Sequence, residues 1–545
     1  MRWNDMESNQ NETRIALIAA AVIMVISILL RAPSCYESLW VDELHSAWSV
    51  WGSLSEVLGR AQAGHQMPIY FWGLWFWKSL FGISEFALRF SSVLPVSLAC
   101  ALLAYGFARL RYGVIAGMAA GLTLAVEQNS IFFGTELRPY GWVIFFSAVT
   151  HLCFLSLLRT NSRLASQNIW SSMLASILVA AFLQPTSIGT LFVYPLILLC
   201  HWNRRKHELR VKPKITLGDL AWLLGGLGSV ALIWQLSLAE SWGQRGIWSA
   251  FGQSTSLEEI LHAWNWWWLW AIPLTFVIII MITIKLRDRP ECCPMEMKAL
   301  IYLASICLIV TLLYWLVAYK PIAPVWHRRY FIALLPGFAC LTGLSVTAIK
   351  SNLINSRWLI ISQRSNLLVS LTASFFVIGL AWDQNLLRRL HRYPVAYATR
   401  GEHWREAANW INENVDRDQI LWLAPGLIEE ESLNQLPNSL PQRDPQNEPF
   451  LTKHAKLKEY LKYPLHGPYQ TRQNIRLWMQ RKNVSGGYQN TNRSKNDDDQ
   501  VEILLIRKPK RSLKEFSTDN QSVISFGNLS LVLFDHQKTK SPVSE

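Results

Sequence analysis

The sequence predicts a polytopic α-helical membrane protein followed by a polar α/β domain, and three observations carry that expectation. First, 51% of the 545 residues are hydrophobic and only 17% are charged, well under the roughly 25% usual in soluble domains. Second, the apolar residues are concentrated: residues 15–382 are mostly long apolar runs, whereas the chain from Asp383 onward is polar and mixed. Third, Lys and Arg gather in alternate loops between the runs, as the positive-inside rule requires. The expected organisation is a cytoplasmic tail over 1–14, a membrane domain over 15–382 and an extracytoplasmic α/β domain over 383–545, each of ordinary size.

A span needs about 20 apolar residues. Runs near 15–31, 87–108, 114–133, 139–158, 171–184, 187–201, 217–237, 264–284, 299–318, 330–349 and 366–382 give about eleven spans. The first follows a polar start and lacks a small-residue cleavage site, so it reads as a retained helix. Residues 171–184 and 187–201, parted by Pro185, read as a tight hairpin or one broken helix. The aromatic stretch Pro68–Gly82 is too short to cross comfortably. If it does not cross, the loops at 109–111, 159–163, 204–214, 285–298 and 350–364 hold seventeen Lys and Arg, against five in the later loops of the other side. A crossing there would invert this bias. Pro68–Gly82 is therefore expected to be a juxtamembrane or re-entrant helix in the first outer loop, with Trp and Tyr at headgroup depth.

This topology puts Asp42-Glu43, His65-Gln66-Met67-Pro68, Glu136-Leu137-Arg138-Pro139-Tyr140, Gln184-Pro185-Thr186 and His327-Arg328-Arg329-Tyr330 on the outer face, together with the tail. In the tail, residues 402–411 have a helical pattern, and 419–423, 501–506 and 529–534 read as strands. Residues 431–450 and 484–500 read as loop or flexible sequence. The net charge of +14 follows from the loop bias, and no aromatic-and-basic nucleic-acid motif accompanies it. Membrane lipids are the expected surroundings. The eight cysteines show no disulfide or Cys-x-x-Cys pattern and read as reduced thiols, the adjacent Cys292-Cys293 included.

A carboxylate at a membrane edge is hydrated, paired or used. Asp42 and Glu43, flanked by Trp40, Trp48 and Trp51, are candidates to deprotonate an acceptor hydroxyl or amine, or to help hold a divalent cation. Solvated loop acids are the plain alternative. Arg138 opens a span in Arg-Pro-Tyr, where it either snorkels to headgroups or grips a phosphate with its planar fork. Arg328 and Arg329 run against the charge bias of their side, which points to an anionic ligand or to lipid phosphate. Glu127 lies within a span beside Gln128 and Asn129, where an acid faces protein or a cavity. His65 is a candidate contact for a substrate or cation. No Walker loop, dinucleotide fingerprint or Gly-x-Ser-x-Gly elbow occurs, so no nucleotide-sugar donor is supported.

These motifs, in this order, resemble the membrane glycosyltransferases of the C-type superfamily. The resemblance is greatest to the bacterial branch related to dolichyl-phosphate-mannose protein mannosyltransferases and the lipid A aminoarabinose transferase. It rests on Asp42-Glu43, His65-Gln66-Met67-Pro68-Ile69-Tyr70, Ser84-Glu85-Phe86-Ala87-Leu88-Arg89-Phe90, Glu136-Leu137-Arg138-Pro139-Tyr140, and Arg329-Tyr330-Phe331 with Leu335-Pro336. It covers roughly residues 15–382. The resemblance implies a polyprenyl-phosphate sugar donor, an extracytoplasmic glycolipid, protein or polysaccharide acceptor, and inversion at the anomeric carbon. It implies Asp42 as the base, Glu43 as its support or as part of a cation site, and Arg138, Arg328 or Arg329, with Tyr330, at the carrier phosphate. His65, Tyr140 and His327 are candidate contacts for a substrate or cation. The resemblance leaves the cofactor open: a divalent cation is one option, and no ligand is assigned to it. The sequence departs from the pattern where Gln66-Met67 stands for the usual prolines and where Gln184-Pro185-Thr186 stands for Thr-His-Tyr. A lipid or solute transporter without transferase activity is the alternative. No repeat of halves supports it, and the polar clusters gather at one face rather than at the midplane.

Overall fold

The computed structural model describes residues 3–160, 163–200, short stretches between 225 and 242, 252–285, 294–354, 359–392, 400–427, 456–478, 480–482, 488–490, 503–508 and 521–534. The expected span at 217–237, Cys292-Cys293, and the loops at 431–450 and 484–500 lie wholly or mostly outside these residues. The chain forms two compact units: Met1–Cys35 with Arg89–Tyr397, and Tyr36–Leu88 with Ala398–Glu545.

The first unit is helical. Among the described residues six helices are long and apolar enough to cross a membrane: Gln10–Tyr36, Glu85–Arg109, Tyr140–Arg159, Met295–Tyr319, Ile332–Leu353 and Ser365–Asp383. Shorter apolar helices cover Val114–Val126, Gln167–Leu183, Ser187–Cys200 and Trp267–Thr283. We label the first ten α-helices α1 (Trp3–Arg31), α2 (Val41–Trp51), α3 (Leu54–Ala63), α4 (Pro68–Phe81), α5 (Glu85–Arg109), α6 (Val114–Val126), α7 (Gln128–Thr135), α8 (Tyr140–Arg159), α9 (Arg163–Leu183) and α10 (Ser187–Leu191). The segment Ile332–Leu353 is buried along its most apolar stretch, as expected of a helix apolar all round. It packs against α6, α8 and the helices Ile272–Lys285, Pro294–Tyr319 and Leu359–Asp383.

Small residues set the closest approaches, as between membrane helices generally. A Cβ on Gly117 would lie 2.2 Å from the Ala104 carbonyl oxygen. Gly117→Val is therefore expected to force α5 and α6 apart and to destabilise the unit by about 1–3 kcal/mol, read as a lower thermal midpoint in detergent.

The run expected as one span over 114–133 is not continuous. Glu127 has extended backbone (φ −64°, ψ 130°) between α6 and α7. Its carboxylate accepts from Ser130 N–H (2.6 Å) and Asn129 Nδ2 (2.8 Å). An acid that caps the following helix ends the preceding one, because the cap residue cannot itself be helical. A second break falls at Gln184-Pro185-Thr186, between α9 and α10. The expected span at 330–349 is entered through two short 3-10 turns, Arg328–Tyr330 and Ile332–Leu334, before the helix Leu335–Ile354.

The second unit comprises Tyr36–Leu88 and Ala398–Glu545, whereas the sequence expectation drew its boundary at 383 alone. Its sheet has the order β2-β1-β5-β7-β6, with β1 (Ile420–Ala424), β2 (Asn474–Leu477), β5 (Ile503–Ile506), β6 (Gln521–Phe526) and β7 (Leu529–Phe534). β1 runs parallel to β2 and β5, and β7 runs antiparallel to β5 and β6. A small separate hairpin pairs β3 (Gln480–Lys482) with β4 (Tyr488–Asn490). β5 is buried at all four positions, which is why its continuous apolar run was legible. β6 sits at the sheet edge with a half-exposed pattern and carried no such signal. The helix Trp404–Asn414 matches the helical pattern seen in the sequence.

α4 begins with Pro68 at its first turn and ends at Gly82, whose φ of +87° only glycine adopts readily. Tyr70, Phe71 and Leu74 are buried, while Trp72, Phe76 and Leu80 are exposed. Both faces are thus apolar, unlike the helices of a soluble domain.

Candidate active site

The candidate residues divide between the two units. The carboxylates belong to the second. Asp42 and Glu43 occupy the first turn of α2, where the helix dipole favours negative charge. Asp42 is half-buried and Glu43 is buried. Glu43 accepts from the Trp40 N–H through Oε2 at 3.3 Å, which gives it a local structural task beside any chemical one.

α2 is held at both ends by groups distant in sequence. At its C-terminal end the carbonyls of Trp48, Val50 and Gly52 accept from Arg60 Nη1 (2.7 Å), Lys78 Nζ (2.7 Å) and Trp75 Nε1 (3.0 Å). Two of these donors are cations, which complement the negative end of the helix dipole. At the N-terminal end the Val41 N–H donates to Glu402 Oε2 (3.0 Å), and the Val41 carbonyl accepts from the Tyr463 hydroxyl (3.1 Å). The Leu39 N–H donates to the Tyr469 hydroxyl (2.9 Å), which itself donates to Glu85 Oε1 (2.9 Å). Burial pushes the Tyr469 phenol well above its ordinary pKa, so it keeps the proton that the Glu85 bond needs. Arg405 completes this corner with a 2.9 Å ion pair to Glu85.

One turn along α2, His45 is buried among Phe71, Tyr460 and Tyr463, with ring centroids 5.4–5.8 Å apart. Gly64 is needed beside it, because a Cβ there would lie 2.4 Å from His45 Nε2. His65 comes next, with φ +53°. The Gln66 N–H bonds the Ala61 carbonyl (3.0 Å) and the His65 N–H bonds the Gln62 carbonyl (2.9 Å). This is the paired closure of a helix whose terminating residue is left-handed, a position usually taken by glycine. His65→Gly is expected to keep or raise stability, and His65→Val to lower it by about 1–2 kcal/mol; thermal unfolding of the two variants tests this.

The arginines belong to the first unit. Arg138 is 9% exposed, which a headgroup-snorkelling arginine would not be. Its loop is fixed by a 3.1 Å bond from Ser92 Oγ to the Arg138 carbonyl. Phe133 lies edge-on to both Tyr140 (5.3 Å) and His327 (6.3 Å), so the 136–140 and 327–330 segments meet around one ring. Arg328 donates to Asn129 Oδ1 (3.3 Å) and to the His262 carbonyl (2.8 Å). Asn129 is in turn held by Glu127. Arg329 donates to the Tyr330 hydroxyl (3.1 Å), its carbonyl accepts from Gln184 Nε2 (2.5 Å), and its N–H donates to His327 Nδ1 (3.3 Å). His327 thus caps the 3-10 turn that carries both arginines.

Behind this cluster, the fully buried Arg31 donates to Ser130 Oγ (2.8 Å), Ser27 Oγ (2.7 Å) and the Ala125 carbonyl (3.3 Å). It is a structural cation for the break at Glu127. Nothing in its local sequence sets it apart from a basic residue at the end of a span. Among the described residues no three His, Cys, Asp or Glu side chains converge as a candidate metal site.

The structure is similar to ArnT from Cupriavidus metallidurans in the apo state, with a TM-score of 0.50 and 12% identity over 96% of this chain and 98% of that one. The same enzyme bound to undecaprenyl phosphate aligns over the same shares at 14% identity and a TM-score of 0.47. The Archaeoglobus fulgidus oligosaccharyltransferase aligns over 78% of this chain and 59% of that one, at 14% identity and a TM-score of 0.36. No family model and no curated protein matches the sequence.

Proposed function

We propose that the protein is an inverting glycosyltransferase that moves a sugar from a polyprenyl-phosphate donor to an extracytoplasmic acceptor at the cell membrane. The observation that carries this reading is the Asp42-Glu43 pair on the first turn of a helix fixed at both ends, in a chain with the fold of a membrane glycosyltransferase. In the proposed reaction the acceptor hydroxyl or amine attacks the anomeric carbon, and its proton passes to Asp42. The bond from that carbon to the phosphate oxygen breaks, and polyprenyl phosphate leaves with the electron pair. Arg138, Arg328 and Arg329, with Tyr330, stabilise the charge that develops on that phosphate. Tyr140, His65 and His327 are the further substrate contacts of this reading. α4, apolar on both faces, lies in the membrane interface.

The decisive assay supplies polyprenyl-phosphate sugars and an envelope acceptor fraction to purified protein and follows release of polyprenyl phosphate, wild type against Asp42→Asn. Orientation has its own test. Asp418 is exposed in the turn before β1, so Asp418→Cys in intact spheroplasts is expected to react with a membrane-impermeant maleimide. Protection until the cells are broken would place the tail on the other side.

A further inference from the structure

The N-cap side chain of α2 makes no capping hydrogen bond. The residue at its N-cap is Trp40, whose indole nitrogen donates but cannot accept. The leading N–H groups of a helix have no intrahelical partner and need acceptors from elsewhere. Glu43 serves the Trp40 N–H, and the Val41 N–H finds its acceptor in Glu402, 361 residues away.

Glu402 is built for that reach. It is 6% exposed. Its Oε1 accepts from Arg507 Nε at 2.7 Å, and its Oε2 accepts from Trp404 Nε1 at 2.8 Å. Trp404 is fully buried at the start of the helix Trp404–Asn414, and Arg507 follows directly on the buried strand β5. The carboxylate is therefore oriented by the C-terminal sheet and its helix before it meets α2. Its two oxygens take three N–H donors, one of them from the residue next to Asp42. Tyr463 holds the other polar group of the same peptide-bearing residue, the Val41 carbonyl.

We infer that Glu402 is a positioning residue: the C-terminal domain supplies, through this one carboxylate, the N-terminal cap of the helix that presents Asp42 and Glu43. The domain is then part of the catalytic apparatus. The catalytic consequence rests on the proposed role of Asp42; the capping does not.

The test uses full-length protein in nanodiscs and three substitutions, read by amide hydrogen exchange and by donor turnover. Glu402→Gln keeps an acceptor oxygen facing Val41 and is expected to stay within about threefold of wild type in both. Glu402→Leu removes the acceptor. It is expected to speed exchange in the first turn of α2 by about tenfold and to lower kcat by about 10- to 100-fold with donor KM little changed. Glu402→Asp keeps the charge for Arg507 but withdraws the oxygen by about 1.5 Å. It is expected to loosen the same turn even if the leucine variant does not fold.

Unchanged exchange in the aspartate and leucine variants would overturn the inference. So would a glutamine variant as damaged as leucine, since that would make the ion pair with Arg507 the determinant. Acceleration spread evenly over the sheet would also overturn it. The exchange result is independent of catalysis: if Asp42→Asn left turnover intact, the base would lie at another residue while the cap could still be read.

Discussion

Asp42→Asn is expected to lower sugar transfer by about 10²–10⁴-fold, the usual contribution of a positioned general base, equivalent to about 3–5 kcal/mol of barrier. The substitution is nearly isosteric. α2 is held by Glu402, Tyr463, Arg60, Lys78 and Trp75, and none of these bonds involves the Asp42 side chain. The fold and the donor KM should therefore survive, and the loss should appear in kcat. Glu43→Gln makes a useful contrast. Glu43 is buried and caps the Trp40 N–H, and an amide oxygen can still accept that bond. A smaller effect is expected, about tenfold or less. Equal losses in the two variants would mean that the pair acts as a unit, and full activity in Asp42→Asn would move the base to another residue.

Arg328→Ala is expected to lower turnover by about 10²–10³-fold, the scale seen when one preorganised donor to a developing anion is removed. Its guanidinium spans Asn129 and the His262 carbonyl, a two-sided hold that a planar fork makes and a lysine ammonium does not. Arg328→Lys is thus expected to recover only part of the activity although the charge remains. The loss should lessen with donors whose phosphate binds elsewhere, and it should not lower the thermal midpoint as a core substitution would. Wild-type turnover in the lysine variant would show that charge alone is needed. Wild-type turnover in the alanine variant would leave Arg138 and Arg329 to carry the phosphate.

The sequence by itself determined the class of this protein. Long apolar runs with Lys and Arg gathered in the loops between them are consequences of the bilayer as solvent, and they are legible because each depends only on local composition. Asp42, Arg138 and Arg328 draw notice for the same reason: each stands out against apolar neighbours. Strands such as β5 and β7 showed as apolar runs because they are buried.

What only the tertiary structure decided are relations between distant residues. Nothing near Glu402 in the chain marks it as the acceptor for Val41, and nothing near Arg31 marks it as the partner of Ser130. The break at Glu127 depends on its carboxylate turning back to Ser130 and Asn129, a choice that hydropathy averaged over a span does not register. His65 shows the same limit in reverse: read as a candidate ligand, it also closes α3 in a left-handed turn. A buried polar group must find a partner, but the sequence states only the need, and the partner is chosen by which segments the fold brings within about 3 Å of one another.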